Sequence, residues 1–280
     1  MRDVGPREGT GVLRAFNRYE IKYLLDPATA LAVREELLGR MRADRHDDGG
    51  GYGVWSVYYD TADLRFYWEK IEGIRFRRKL RIRTYGDPGA HEDADPVFVE
   101  IKQRVNRVTQ KRRIALPYRS ARQLCDARVL PDDLTEEDRP IAEEVLDLVH
   151  RLDLKPIAMT GYQREAYIGA DADLGLRVTL DNRVRGRDRD LNFTTATPEN
   201  RYIINPSWTV LEVKANERVP AWFTDLAARH SLDVRRISKY CQSVEAHGRA
   251  PRSVFHVHEG AHSDPDPGPA DAGELTKVTA

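Results

Sequence analysis

Cysteine is nearly missing from this chain: Cys125 and Cys241 are the only two in 280 residues. Neither sits in a paired redox or zinc spacing, and two thiols make no disulfide framework. No apolar h-region follows the Met1-Arg2-Asp3 start, so a secretory signal is not expected. Nor does any stretch approach the roughly 20 apolar residues of a membrane span. Net charge is missing too, because 45 Lys+Arg stand against 45 Asp+Glu. Bulk attraction to nucleic acid is therefore not implied. What remains is a chain expected to be soluble and cytoplasmic, with 40% hydrophobic residues for a core and a length suited to one large domain, or two.

The balance of charge hides an asymmetry. Beyond residue 250, Arg252 and Lys277 face Glu259, Asp264, Asp266, Asp271 and Glu274, and the preceding residues carry the compensating excess of cations. Residues 1–11 read as a loose leader, 12–247 as the folded domain, and 248–280, rich in Pro, Asp, Gly and Ala, as a disordered tail. Strand-like segments dominate the domain: Phe16–Leu25, Gly53–Tyr59, Gly73–Thr84, Val97–Gln103, Arg107–Leu116, Ala158–Ile168, Gly175–Asp181 and Thr209–Ala215. Helices are expected over 27–42, capped by Asp26 with Pro27 first, over 120–129 from Ser120, over 141–152 behind the Thr135/Asp138 spacing, and over 220–230 and 238–247. Strands without regular βαβ alternation imply an α+β fold built on an antiparallel sheet or barrel with added helices.

The strands carry an unusual pattern. From Ile74 to Arg83, odd positions 75, 77, 79, 81 and 83 are all cationic, and even positions are apolar except Arg78. Alternation puts those five cations on one face, roughly 6.5–7 Å apart. A charged row on a solvent-facing edge strand is the bland explanation, since it deters aggregation. Other strands repeat the arrangement, however. Glu100, Lys102 and Arg104 oppose Val97, Val99 and Ile101; Lys111 and Arg113 oppose Ile114 and Leu116; Glu212 and Lys214 oppose Leu211 and Val213. Tyr162 shares a face with Arg164, Arg177 with Thr179 and Asp181, and Lys22 with Arg18 and Glu20. Either these faces meet solvent around an apolar interior, or helices cover the apolar side and the charged faces line a tunnel. Apolar helix faces at 27–42, 135–152 and 220–230 need a partner, which favours the tunnel. Arginine forks suit phosphate oxygens, and Glu20, Glu100 and Glu212 are candidates for holding a divalent cation that bridges phosphates.

At these residues the sequence resembles the VTC domain of the triphosphate tunnel metalloenzyme (CYTH-like) superfamily. The matching stretches run in order: Arg18-Tyr-Glu-Ile-Lys-Tyr23, Tyr58-Tyr-Asp-Thr61, Lys79-Leu-Arg-Ile-Arg83, Val99-Glu-Ile-Lys102, Lys111-Arg-Arg113, Tyr162-Gln-Arg164, Leu176-Arg-Val-Thr-Leu-Asp181, Leu211-Glu-Val-Lys214 and Ser238-Lys-Tyr240. The resemblance implies an eight-stranded antiparallel β-barrel, the triphosphate tunnel, with helices packed outside. It implies a polyphosphate polymerase that transfers the ATP γ-phosphate to a growing chain with Mn2+ or Mg2+. A metal-dependent phosphohydrolase or a non-catalytic polyphosphate binder are the alternatives. It assigns Arg81, Arg83, Arg164 and Lys239 to catalysis, Lys22, Lys79, Lys102, Lys111, Arg113, Arg177 and Lys214 to phosphate binding, and Glu212 to the metal. ATP and polyphosphate are the expected partners, without nucleic acid; no membrane segment of its own is expected, and a membrane partner is left open. The superfamily's Glu-x-Glu-x-Lys reads here Arg18-Tyr-Glu20-Ile-Lys22, which makes plain triphosphate hydrolysis less expected. Neither an SPX domain nor the membrane helices of the eukaryotic complex are expected.

Other signals read as structural. His256, His258 and His262 border the tail and are expected to be solvated; the four tryptophans pack or line rims; Tyr58, Tyr59 and Asp60 fix a strand end; His150 meets a helix dipole; and both cysteines are buried apolar groups.

Overall fold

A computed structural model describes residues 18–44, 51–86, 89, 91–106, 108–170, 173, 175–195, 199–216 and 218–251. The leader 1–11, the three tail histidines and nearly all of the tail lie outside them. Ten strands form one antiparallel sheet in the order β1 (Arg18–Leu25), β10 (Thr209–Asn216), β8 (Arg177–Arg187), β7 (Lys155–Gly169), β3 (Tyr52–Asp60), β4 (Phe76–Tyr85), β5 (Pro96–Val105) and β6 (Val108–Pro117). Two short strands, β2 (Met41–Ala43) and β9 (Arg201–Tyr202), pair with β7 and β8. All eight expected strands are present.

The sheet does not close, which corrects the barrel expectation. No ladder joins β1 to β6. The free edge of β1 is taken instead by the 234–235 segment, through a Tyr23–Val234 bridge and the Arg235 amide donating to the Lys22 carbonyl at 2.8 Å. The curled sheet is spanned by side chains: Lys102 of β5 donates to Glu20 of β1 at 2.8 Å.

Helices cover the outer, apolar face. Val33 and Leu37 of α1 (Pro27–Leu38) and Phe223 and Leu226 of α5 (Ala221–Arg229) pack on Tyr23, Val178, Leu180, Leu211 and Val213. Ala142, Val145 and Val149 of α4 (Arg139–Arg151) pack with Leu80, Ile82, Val99, Ile101 and Ile114. At about 1.5–3 kcal/mol per fully buried large apolar side chain, these two layers supply the main driving force for the curl. Trp55 lies so close to the backbone of β7 that a Cβ on Gly161 would sit 2.3 Å from its ring.

Local differences have local causes. The first helix stops at Leu38, where Gly39 caps it and buried Met41 starts β2. The segment Arg65–Ile71 is a helix, α2, that the sequence pattern hides. Leu64 caps nothing; the caps are Asp60, at the end of β3, accepting from the amides of Phe66 (2.8 Å) and Tyr67 (3.0 Å), and the Thr61 hydroxyl, accepting from the Arg65 amide at 2.9 Å. Ser120 is not a cap: α3 (Tyr118–Arg122) begins before it and runs into a π-turn, Gln123–Ala127. The Thr135 hydroxyl does accept from the Asp138 amide at 3.1 Å ahead of α4. Arg75 lies outside β4, so the cationic row on that strand begins at Arg77.

A candidate anion-binding tunnel

The inner face of the sheet carries the charges. Register places them opposite one another: Glu20 against Lys214 and Lys22 against Glu212 across β1 and β10, and Arg81 against Glu100 and Glu100 against Arg113 across β4, β5 and β6. The cations resolve into groups around four carboxylates.

Asp181, fully buried, receives Arg164 as a fork (Nε 2.6 Å, Nη2 2.7 Å) and Lys239 at 2.5 Å. Burial opposes its charge, but Arg164 and Lys239 hold the carboxyl down to about 2. Glu100 receives Arg81 (Nη2 2.6 Å, Nε 2.7 Å) on one oxygen and Lys111 at 2.5 Å on the other, with Arg83 at 4.0 Å. Against its desolvation, Arg81, Arg83 and Lys111 keep it well below the usual range. Glu20 meets Lys102 at 2.8 Å and Lys22 at 3.4 Å.

Glu212 is arranged differently. Lys214 binds its Oε1 at 2.8 Å, but among the described residues Oε2 has only Arg164 at 3.8 Å and Lys22 at 4.0 Å, both beyond hydrogen-bond range. The surrounding cations still outweigh burial and keep it ionised, with Lys214 acting most strongly. Lys214 itself is pushed down to about 8 by desolvation, while Lys22 is raised because Glu212 and Glu20 together outweigh its burial.

One end of the tunnel is filled. The helix α6 (Lys239–Ala246) lies on the inner face, with Ser238 as its N-cap, and Tyr240 stacks on Tyr58 at 5.1 Å. Lys79 donates to the Ser238 hydroxyl at 2.9 Å, Lys22 to the Ile237 carbonyl at 3.3 Å, and Lys239 sits 4.4 Å from the centre of the Tyr162 ring. Leu24, Val54, Val184, Val210 and Ile237 pack around Tyr162 below them.

The fold thus brings Lys22, Lys79, Arg81, Arg83, Lys102, Lys111, Arg113, Arg164, Arg177, Lys214, Lys239 and Glu212 onto one concave face. Arg177 stands apart at the open mouth, tied to Asp44 at 2.9 Å and the Tyr52 hydroxyl at 3.4 Å. Arg113 stacks over Phe98 at 4.6 Å. Tyr58 is not merely a strand-end residue. Its hydroxyl accepts from Arg81 at 3.1 Å; desolvation raises its pKa, but Arg81, Arg83 and Lys79 bring it down to about 7. Asp60 plays the structural part expected of the trio, and both cysteines are buried.

As a metal site, Glu100 does not fit, because Arg81 hydrogen-bonds one oxygen and the Lys111 ammonium stands 2.5 Å from the other. Glu212 and Glu20 fit better: they are diagonal neighbours on one face, and Glu212 Oε2 is unbonded. Among the described residues no group of three or more His, Cys, Asp or Glu side chains converges. Two carboxylates suit an ion such as Mg2+ or Mn2+ that takes its remaining ligands from water and substrate phosphates.

A concave face where cations outnumber carboxylates, with one under-bonded carboxylate among them, has the chemistry to receive a polyanion. The chain belongs to the VTC domain family, which matches over residues 17–247. It is 27% identical over 223 residues to vacuolar transporter chaperone complex subunit 4 of Trypanosoma brucei brucei, covering 69% of this chain and 28% of that protein. The subunit of the same name from Schizosaccharomyces pombe is 23% identical over 283 residues, covering 86% and 39%. The chain therefore spans well under half the length of these relatives. Among solved structures, a protein of Pyrococcus horikoshii is similar with a TM-score of 0.42 and 13% identity, covering 82% of this chain and 99% of that one. No helix among the described residues is long and apolar enough to cross a membrane.

Proposed function

We propose that this tunnel moves the γ-phosphoryl group of ATP onto the end of a growing polyphosphate chain. One observation carries the reading: cations from β1, β4, β5, β6, β7, β8, β10 and α6 line one inner face, and on it Glu212 keeps an Oε2 that no cation among the described residues hydrogen-bonds.

Phosphoryl transfer passes through a loose transition state with charge spread over the equatorial oxygens, so catalysis rests on positioning and charge stabilisation. Arg81, Arg83, Arg164 and Lys239 hold the transferring group. Arg81 and Arg164 are locked by carboxylate forks, so their cations are in place before substrate arrives. Lys22, Lys79, Lys102, Lys111, Arg113, Arg177 and Lys214 hold the remaining phosphates. Glu212 with Glu20 would hold a divalent cation, Mn2+ or Mg2+, which would supply neutralisation of phosphate charge. The nucleophile is a terminal oxygen of the chain: its bond to the γ-phosphorus forms as the bridging bond to the β-phosphate breaks, and ADP leaves. No Ser or Cys nucleophile is required. The same reading places the chain in the cytoplasm, where ATP is supplied, and leaves any passage across a membrane to a partner.

The test is incubation of the protein with ATP and manganese, with products separated on a polyphosphate gel. A ladder that falls at least 100-fold in Glu212→Ala supports the reading. Orthophosphate without polymer would replace it with hydrolysis, and tight salt-dependent binding of polyphosphate without turnover would leave a binding module.

A further inference from the structure

The carboxylates are not spread evenly along the tunnel. Glu100 serves the Arg81, Arg83 and Lys111 group, Glu20 serves Lys102, and Glu212 and Asp181 serve the opposite wall. Among the described residues they stop beyond Lys79 and Lys102. Register sets Lys79 directly opposite Lys102, and Arg77 directly opposite Arg104, on the same inner face. Like charges in facing positions of neighbouring strands destabilise a sheet. These pairs lie on β4 and β5, and the sheet edge is β6, so edge protection does not explain them.

The α2 helix, tied to β4 where the Arg78 amide donates to Glu69 at 2.8 Å, adds the neighbouring Lys70 to the same cluster. Desolvation, then the nearby charges of Lys79 and Arg77, push Lys70 down to about 8, and Arg77 is lowered by burial and by Arg104 and Arg236. Among the described residues none of Lys70, Arg77, Lys79 and Arg104 has an ion-pair partner within 4.0 Å. Lys79 donates to the neutral Ser238 hydroxyl, and Arg104 to the Asn106 carbonyl at 3.1 Å. The cluster is continuous with the tunnel, because Lys79 feels both Lys22 and Lys102. It runs outward to exposed Arg104 beside the β5–β6 turn.

We propose that Lys70, Arg77, Lys79 and Arg104 form a distal anion-binding stretch that takes the phosphates of a polyphosphate chain several units away from its reacting end. The stretch rests on the tunnel reading above and extends it. The two regions differ in chemistry: the carboxylate-bearing part accommodates a metal and a chain end, and the carboxylate-free part accommodates a repeating anion. Chains too short to reach past Lys79 gain nothing from it.

The experiment measures binding of tripolyphosphate and of a chain of about twenty phosphates to the wild type and to a Lys70→Ala/Arg77→Ala/Arg104→Ala variant, across a salt series. The proposal expects the variant to lose about tenfold or more on the long chain and less than twofold on tripolyphosphate. Its salt slope for the long chain should be shallower, by roughly 0.7 per lost contact on the scale of single-stranded polyanions. Equal weakening of both ligands, or none of either, would overturn the distal stretch while leaving the tunnel reading intact. Failure of the wild type to bind either ligand would overturn the tunnel reading and this one with it. A Lys70→Glu/Arg104→Glu variant, with its thermal melt compared with wild type, separates lost binding from lost folding.

Discussion

The two inner walls use carboxylates in opposite ways. On the wall of β4, β5 and β6, Glu100 is 1% exposed and gives both oxygens to cations at 2.5–2.7 Å. On the wall of β1 and β10, Glu212 gives one oxygen to Lys214 and leaves the other outside hydrogen-bond range. Both are buried and both are surrounded by positive charge. Glu100 behaves as a keystone that lets Arg81, Arg83 and Lys111 stand side by side, and Glu212 keeps one oxygen out of reach of the cations described around it. Removing one partner of a buried ion cluster leaves the rest uncompensated, at about 3–5 kcal/mol.

That contrast sets the order of expected effects. Glu100→Gln should lower stability by about 3 kcal/mol, because it strands Arg81, Arg83 and Lys111 together; urea unfolding reads it directly, and a loss under 1 kcal/mol would mean that water screens the group. Asp181→Asn comes next. In the wild type the Asp181 carboxyl stands at about 2 against its ordinary 3.8, so its contribution is full above the ordinary value and fades as pH falls towards 2. The variant should begin less stable at pH 7 and show a flatter decline across that window in thermal melts. Glu212→Gln should cost less in folding than Glu100→Gln, since Arg164 keeps Asp181, Lys22 keeps Glu20, and Lys214 can release its proton. A Glu212→Gln loss as large as that of Glu100→Gln would erase the distinction between the walls.

The smallest effect is in pH. Lys214 is protonated below about 8 and neutral above it, so tripolyphosphate affinity should fall a fewfold between pH 7 and 9. A Lys214→Arg variant, which stays charged, should flatten that fall in a calorimetric titration. The sign for stability is the reverse. The lowered value makes the charged lysine a cost to the fold, relieved as pH rises from about 8 towards its ordinary 10.5.

Much of this was legible along the chain because alternation is a local property. The odd-numbered cations of β4 and the Glu212/Lys214 spacing assign faces without any knowledge of neighbours, and the apolar helix faces say which side must be covered. Other features had no local signal. The amides that open α2 are capped by Asp60 and Thr61, before an intervening turn, so no residue immediately ahead of the helix betrays it. Tyr58 read as a strand-end residue until the sheet placed it against Arg81. The open sheet followed from Val234 and Arg235, distant in sequence, occupying the edge of β1.

The sequence by itself determined an antiparallel sheet with one apolar and one cationic face, the helices that cover the first, and the family to which they belong. Only the tertiary structure decided which carboxylate is spent on which cations, because those distances depend on how strongly the sheet curls and where α6 enters it. Glu100 and Glu212 are the same residue type with the same alternation pattern. What separates them is how close each wall sets its cations: among the described residues Arg81 and Lys111 stand within 2.7 Å of the two oxygens of Glu100, and no cation comes nearer than 3.8 Å to Oε2 of Glu212.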